Sequence, residues 1–400
     1  MKRYAALRYL SLPAAMGLVF FLTFGGPGRF LCKILALGIS WWTGRFSAVL
    51  VSLSVSPPVR ALVVDGICAG VGSVLSFLPA IGILFFCLSL LESSGFLNQS
   101  ARWLDGPMSR IGLPGSAVVP LLTGFGCSVP AILSAGQLQN PAQKIRAVFL
   151  VPFFSCSARL PIYSLIAGSL FPGRSGRIIA GLYLLGVGTG LLLAAAAQAV
   201  FPIALMPPQA LVPGCSTSSA APSHIRLRRP SLRQALAVAW TEVKDFSRKA
   251  FTVIFLGSMI IWLLEHLDAS LTLTEVPAES LLADLGRMAA PIFAPLGFGD
   301  WRAVSAVLSG LTAKEAVVST LTVMLGEGAG RMDFAKNLSS VFTPASSVSF
   351  LVFCLFYTPC IAALAAVRKE LGGMRWILAM ASFQCSLAWI MSFLFFRVGI

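Results

Sequence analysis

The chain alternates long apolar blocks with short polar punctuation, and the blocks have the length of membrane helices. Several approach or exceed the roughly 20 apolar residues that cross a bilayer. Leu182 to Leu205 contains no charged residue. Two blocks, Val118 to Leu138 and Ala147 to Phe171, are interrupted by polar, Gly/Pro-bearing patches that each carry a cysteine. The first patch is Gly124-Phe125-Gly126-Cys127-Ser128-Val129-Pro130, and the second is Ser155-Cys156-Ser157-Ala158-Arg159-Leu160-Pro161. In hydrocarbon every backbone group must be satisfied, so a break is tolerated only where it is buried in protein or lines a cavity. Broken helices with converging polar groups are how transporters build midplane sites. The pattern predicts an all-α polytopic membrane protein of transporter or channel type, and cysteines inside the breaks suggest a metal ion.

Tyr9 to Phe24 predicts a short first span. Arg29 to Pro57, with Trp41, Trp42 and scattered charges, predicts an interfacial helix pair. Ala61 to Leu91 is one apolar run interrupted near Leu78-Pro79, which fits either a tight hairpin of two short helices or a kink. Ile178 to Leu205 is a plain span. Pro207 to Arg248 is a boundary: it holds Pro, Ser and the basic run Arg226, Arg228, Arg229 and Arg233, and predicts a cytoplasmic linker leading into an amphipathic helix. Ala250 to Leu264 returns across the membrane, and the acid-rich stretch Glu265 to Asp300 fits an outer loop. Ala303 to Leu325 is a span with its own polar patch, Gly310-Leu311-Thr312-Ala313-Lys314-Glu315. Ser347 to Val367 is interrupted at Tyr357-Thr358-Pro359-Cys360, and Trp376 to Phe396 is the last span. The organisation expected is therefore a first helix and interfacial helices over 1–60, one repeat over 61–206, the linker over 207–248 and a second repeat over 249–400.

Composition agrees with the class: hydrophobic residues make up 57%, charged residues 11%, and the mean hydropathy is +0.85. The net charge of +15 sits mainly in short loops and at segment ends. That is a topological bias facing anionic lipid, so no nucleic-acid partner is expected. Counting every apolar segment as a crossing, both repeats run in the same sense, with the polar breaks in their second and third segments. This predicts two parallel repeats about an axis along the membrane normal. Arg368, Lys369 and Arg375 then fall outside, against the positive-inside rule.

Cys127, Cys156 and Cys360 sit at corresponding breaks, where unwound carbonyls would add oxygen ligands. A borderline divalent metal accepts such a mixture of thiolate, hydroxyl, carboxylate and carbonyl. Each cysteine taken alone also fits as a small residue allowing close helix packing; three at matching breaks favour the ligand reading. Cysteines inside apolar runs, such as Cys32 and Cys354, read as buried hydrophobes rather than disulfide partners. Glu92 and Glu315 lie in or beside apolar segments, where a charge marks either function or ion pairing. Arg159 is placed to neutralise one of them. No G-x-x-x-x-G-K-[ST] occurs and no Lys follows a Gly, so this chain is not expected to be a P-loop enzyme.

On these residues the chain resembles the membrane part of the bacterial ferrous iron transport protein B family. The resemblance runs through Val64-Asp65-Gly66, Phe77-Leu78-Pro79, Leu90-Leu91-Glu92-Ser93-Ser94-Gly95, the two cysteine patches, Ala313-Lys314-Glu315 and Pro359-Cys360-Ile361-Ala362-Ala363-Leu364. It covers about Ser11 to Phe396. Ser128 stands where the family usually has Asn, Ala80 where it often has Gln, and Ser93 where it often has an acid. The resemblance implies two Gate repeats, Fe(II) import across the bacterial cytoplasmic membrane, and a cysteine-lined path at Cys127 and Cys360. It also supports Glu92 as a buried acid.

The family's N-terminal GTP-binding domain is expected to be absent from this chain, since Met1 stands just before the first span. The alternatives are a separate GTP-binding protein, a different driving force or a changed substrate. The site expected comprises Cys127, Cys156, Cys360, Ser128, Glu92 and Glu315 at the ion, with Gly124, Gly126, Pro130, Ser157, Arg159, Pro161, Gly310, Lys314 and Pro359 forming the breaks. Fe(II) is cargo, and no permanent cofactor is expected. Membrane lipid and small cytoplasmic accessory proteins are the further partners, and a homo-oligomer stays open. A Gate carrier for another divalent metal or a nucleoside, and a non-transporting membrane scaffold, are the rival readings.

Overall fold

A computed structural model describes residues 14–399 except 24, 55, 57–58, 61, 201–231, 269, 271, 275 and 327–330; the side chains of Asp65 and Glu92 also lie outside the description. Among the described residues the chain is helical, apart from one isolated bridge between Leu267 and Leu273. Ala14–Ser52, Pro141–Leu170, Ser175–Val200, Pro344–Leu371 and Met374–Val398 are long and apolar enough to cross a membrane. The chain is a multi-pass membrane protein.

Two sets of helices repeat the same order. Each has a long helix (Ala69–Ser93; Leu232–His266) and then an amphipathic one (Phe96–Arg110; Leu281–Phe293). A pair of short helices follows (Val118–Thr123 with Ser128–Ala135; Trp301–Ser309 with Ala316–Leu325). Next come a broken span (Pro141–Leu150 with Leu160–Leu170; Pro344–Phe356 with Ile361–Leu371) and an unbroken one (Ser175–Val200; Met374–Val398). The two long helices pack against each other. These are two repeats of broken helices.

Tertiary contacts show which segments cross. Arg146 donates to the Ile111 carbonyl (3.0 Å) and to Gln198 Oε1 (2.6 Å). The approach to the first short pair, the start of the broken span and the end of the unbroken span therefore share one face. The exit of the short pair is there too, because Gly136 abuts Glu370, and Glu370 pairs with Lys144 at 3.2 Å. The Val118–Ala135 pair thus enters and leaves by one face, as a re-entrant hairpin.

The second pair does the same from the opposite face. The Arg331–Val341 helix packs on Leu160–Leu170, the far half of the first broken span. Ser349 Oγ donates to the Leu296 carbonyl at 2.8 Å, and Trp389 Nε1 to the Ile292 carbonyl at 3.0 Å. The residues before and after the Trp301–Leu325 hairpin are therefore on a common face.

This revises the crossing count made from charge, which took each hairpin as a span. With three crossings per repeat in place of four, the second repeat is turned over relative to the first. Arg368, Lys369 and Arg375 then join Lys144 and Arg146 on one basic face, and their conflict with the positive-inside rule disappears.

One open alternative closes and two other expectations change. The run near Leu78-Pro79 does not form a hairpin: Pro79 lies inside the continuous helix Ala69–Ser93, preceded by a π-helical turn Leu62–Cys68. Proline removes one ladder bond and kinks a helix, but packing can carry the helix through it. The expected interfacial pair over 29–57 is one 27-residue helix, Gly26–Ser52, with Pro27 in its first turn. Its Phe30, Leu37, Trp41 and Trp42 are exposed, as on a lipid-facing surface. The expected linker and the following span are joined, since one 35-residue helix runs from Leu232 to His266; the remainder of that linker, with Arg226 to Arg229, lies outside the described residues.

Candidate functional site

The four breaks meet. In the first hairpin, Gly126 and Cys127 both fold their N–H groups back onto the Thr123 carbonyl (2.9 and 3.1 Å). Cys127 is extended, and the Ser128–Ala135 helix starts after it. An added Cβ at Gly126 would press on Leu84 at 2.9 Å, so glycine lets the tip lie against the long helix. The Gly126 carbonyl accepts from Ser157, through its N–H at 3.2 Å and its hydroxyl at 2.8 Å. This ties the hairpin tip to the break of the neighbouring span. Cys156, extended, precedes that contact, and Pro161 opens the Leu160–Leu170 helix.

The second repeat copies the device. The Ile361 N–H donates to the Leu311 carbonyl at 3.0 Å, joining the Gly310–Glu315 tip to the Tyr357–Cys360 break. Matching these two links makes Cys156 and Cys360 equivalent, each one residue before the donor. Cys127, by the same match, corresponds to Thr312.

Cys127, Cys156, Cys360 and Glu315 are brought within electrostatic range of one another. Among the described residues, however, no three His, Cys, Asp or Glu stand where they could hold a metal ion in this conformation. The described cysteines are free thiols. Ser128 and Pro130 are buried in the first turn of their helix.

Arg159 is buried and donates through NH1 to the Pro152 carbonyl at 3.0 Å, while its Nε has no partner. It makes no ion pair with Glu315 among the described residues, so the break's own carbonyl takes the role expected of that carboxylate. The Glu92 side chain lies outside the described residues. Glu315 directly precedes the Ala316–Leu325 helix without a side-chain capping bond, and its neighbour Lys314 is buried against Tyr357 and Thr358.

Helix N-termini carry partial positive charge. Four of them begin at the breaks, and the buried Arg159 adds a formal charge. A cation entering here must therefore be met by anionic ligands.

Tyr357 and Thr358 had no assigned role in the sequence. The signal was present: an aromatic residue directly before a proline-bearing break, across from a patch holding a lone lysine.

The Gate family, described as nucleoside recognition, matches residues 74–170 and 247–374. The Fe(2+) transporter FeoB of Staphylococcus aureus is 34% identical over 405 residues, covering 98% of this chain and 58% of that protein. That of Methanocaldococcus jannaschii is 37% identical over 372 residues, covering 90% and 53%. A Porphyromonas gingivalis protein described as an Fe(2+) transport protein A/Fe(2+) transporter FeoB fusion is 32% identical over 420 residues, covering 93% and 48%. The chain thus spans about half the length of these relatives. Among solved structures, CNTnw in an outward-facing state aligns with a TM-score of 0.49 and 14% identity over 98% of this chain and 92% of that one, a likeness too loose to argue from. With both repeats matched by the family model, the chain belongs to the Gate family.

Proposed function

We propose that this chain is the ion-translocating membrane domain of a ferrous iron importer in the bacterial cytoplasmic membrane, with its basic face in the cytoplasm. The observation that carries the reading is the meeting of the four breaks, which gathers Cys127, Cys156 and Cys360 at the ends of helices that would otherwise have no reason to unwind. Fe(II) would shed part of its water there. The thiols would act as soft ligands, with Ser128, Ser157 and freed carbonyls as hard ones. Glu315, and Glu92 from the long helix, would offset the ion's charge. A small movement of either hairpin is needed to bring the donors to bonding distance. Iron is cargo in this scheme and no group stays bound.

The relative that fuses transport protein A to the transporter supports a small accessory protein as partner, and a GTP-binding protein would supply energy. The test is Fe(II) uptake into liposomes holding this chain, under reducing conditions, with Zn(II) and Mn(II) as competitors. Uptake that Zn(II) or Mn(II) suppresses at equal concentration would shift the cargo to a broader class of divalent metals. The family's description favours one second reading, a nucleoside carrier. Uptake of a labelled nucleoside that survives loss of Cys127 and Cys360, with no iron uptake, would establish that reading in place of the first.

A further inference from the structure

We propose that Lys314 is a tethered cation that fills the ion seat of the empty gate and must be displaced for a cargo ion to bind. The inference rests on the reading of the breaks as an ion path. Lys314 sits at the tip of the second hairpin and is only 3% exposed. No carboxylate pairs with it among the described residues. An isolated buried ammonium is costly, so its surroundings must replace water. They do so with two groups. Nζ donates to the Thr358 carbonyl at 2.7 Å and stands 3.0 Å from the centroid of the Tyr357 ring. A carbonyl and an aromatic face are both cation seats.

Thr358 lies within the unwound stretch between Tyr357 and Cys360, two residues from the Cys360 thiol. Its hydroxyl is held by the Cys385 thiol at 2.9 Å, which fixes the residue from the side of the last helix. Its carbonyl is the class of oxygen that broken transport helices offer to cations. The lysine therefore occupies an oxygen that a metal ion at Cys360 would use.

The Tyr357 hydroxyl is buried without a partner and faces Gly310, so the ring is oriented to present its face rather than to satisfy its O–H. Arg159, the other buried cation, is a rigid fork whose NH1 is fixed on Pro152. Lysine, a compact charge on a flexible stem, is the one that can leave. Two cations cannot share the seat. A weakly held ion fails to evict the ammonium, whereas a divalent ion with thiolate ligands succeeds.

The test is alkylation by N-ethylmaleimide in the purified full-length chain, read by mass spectrometry at the Cys360 peptide, with Co(II) as the metal probe. Cys354, buried in the adjoining helix, reports unfolding. If the seat is filled for at least about nine-tenths of the time, Lys314→Met lowers the Co(II) concentration that half-protects Cys360 by about tenfold or more. It also speeds alkylation without metal, and Lys314→Arg, which keeps the charge on a stiffer fork that leaves less readily, does not lower that concentration. Protection of wild type by Co(II) with no gain in Lys314→Met overturns the proposal and leaves the ion path standing. Failure of Co(II) to protect Cys360 in any protein removes the path itself. Should Cys354 become reactive in Lys314→Met, Tyr357→Leu keeps the charge but removes half the seat, and must shift Co(II) protection in the same direction or the proposal falls.

Discussion

At the scale of the residue, Ser157 does two jobs with two donors. Its N–H and its hydroxyl both reach the Gly126 carbonyl, so Ser157→Ala leaves that oxygen one partner. The expected loss is about 1 kcal/mol of stability, measured by thermal or denaturant unfolding in detergent. Ser157→Pro removes both donors and should cost clearly more. A variant Ser157→Ala as unstable as Ser157→Pro would mean that the hydroxyl, not the backbone, carries the link. On the proposed path, Cys127→Ser would replace a soft ligand by a hard one in an unchanged fold. Fe(II) uptake should fall several-fold with the unfolding curve unmoved, and full uptake would take Cys127 out of the path. These residues were legible in the sequence because glycine, proline and cysteine clustered in an apolar block are poor material for a continuous span. Arg159 makes no ion pair with Glu315 among the described residues and holds the Pro152 carbonyl. Its charge suggested a carboxylate partner, but a break supplies carbonyls of its own, and sequence gives no distance between an arginine and a freed oxygen.

At the scale of the element, the breaks depend on helices that approach unusually closely. A Cβ at Gly186 would stand 2.6 Å from the Phe153 carbonyl and 3.1 Å from the Leu355 side chain. The unbroken span Ser175–Val200 therefore presses on the turn that precedes the Cys156 break. Small residues at such contacts let membrane helices pack by their backbones. Gly186→Val should destabilise by about 1–3 kcal/mol and reduce uptake together with stability; Gly188→Val, where an added Cβ meets nothing within 4 Å, should do neither. Existence and order of the helices could be read from apolar length, but their path could not. An apolar block of eighteen or so residues fits a span or a two-legged hairpin equally well. The break itself held the clue: the legs of the first hairpin have 6 and 8 residues, about 21 Å together at 1.5 Å per residue, against a core of roughly 30 Å. Subtracting the break from the block would have shown that it falls short. Pro79 left two paths open, since a proline that ends an isolated helix only bends one packed along its length.

At the scale of the whole molecule, the decisive contacts join residues far apart in sequence. Lys144 and Glu370 are 3.2 Å apart, with side chains 22% and 12% exposed. Such a pair adds little energy, about 1 kcal/mol or less, but it fixes which ends of the chain share a face. Cysteines placed at Gln137 and Gly373 should therefore react with a membrane-impermeant thiol reagent from the same side, the cytoplasmic one, in oriented vesicles. Labelling from opposite sides would restore the hairpins to full spans. Sequence could not supply this, because charge counts assign sides only after the crossings are known. The convergence of the breaks has an electrical consequence as well. The helices that begin at them are 8 to 11 residues long, about 12–17 Å, close to half the hydrocarbon thickness. An ion held there stands midway through the transmembrane voltage. Reaching it from outside moves two charges through half the drop, worth about 2.3 kcal/mol per 100 mV. If the proposed path carries the ion, an inward-negative potential would help load the gate from one face and oppose unloading back to it, so the resting voltage of the cell would act as a built-in rectifier for the cargo.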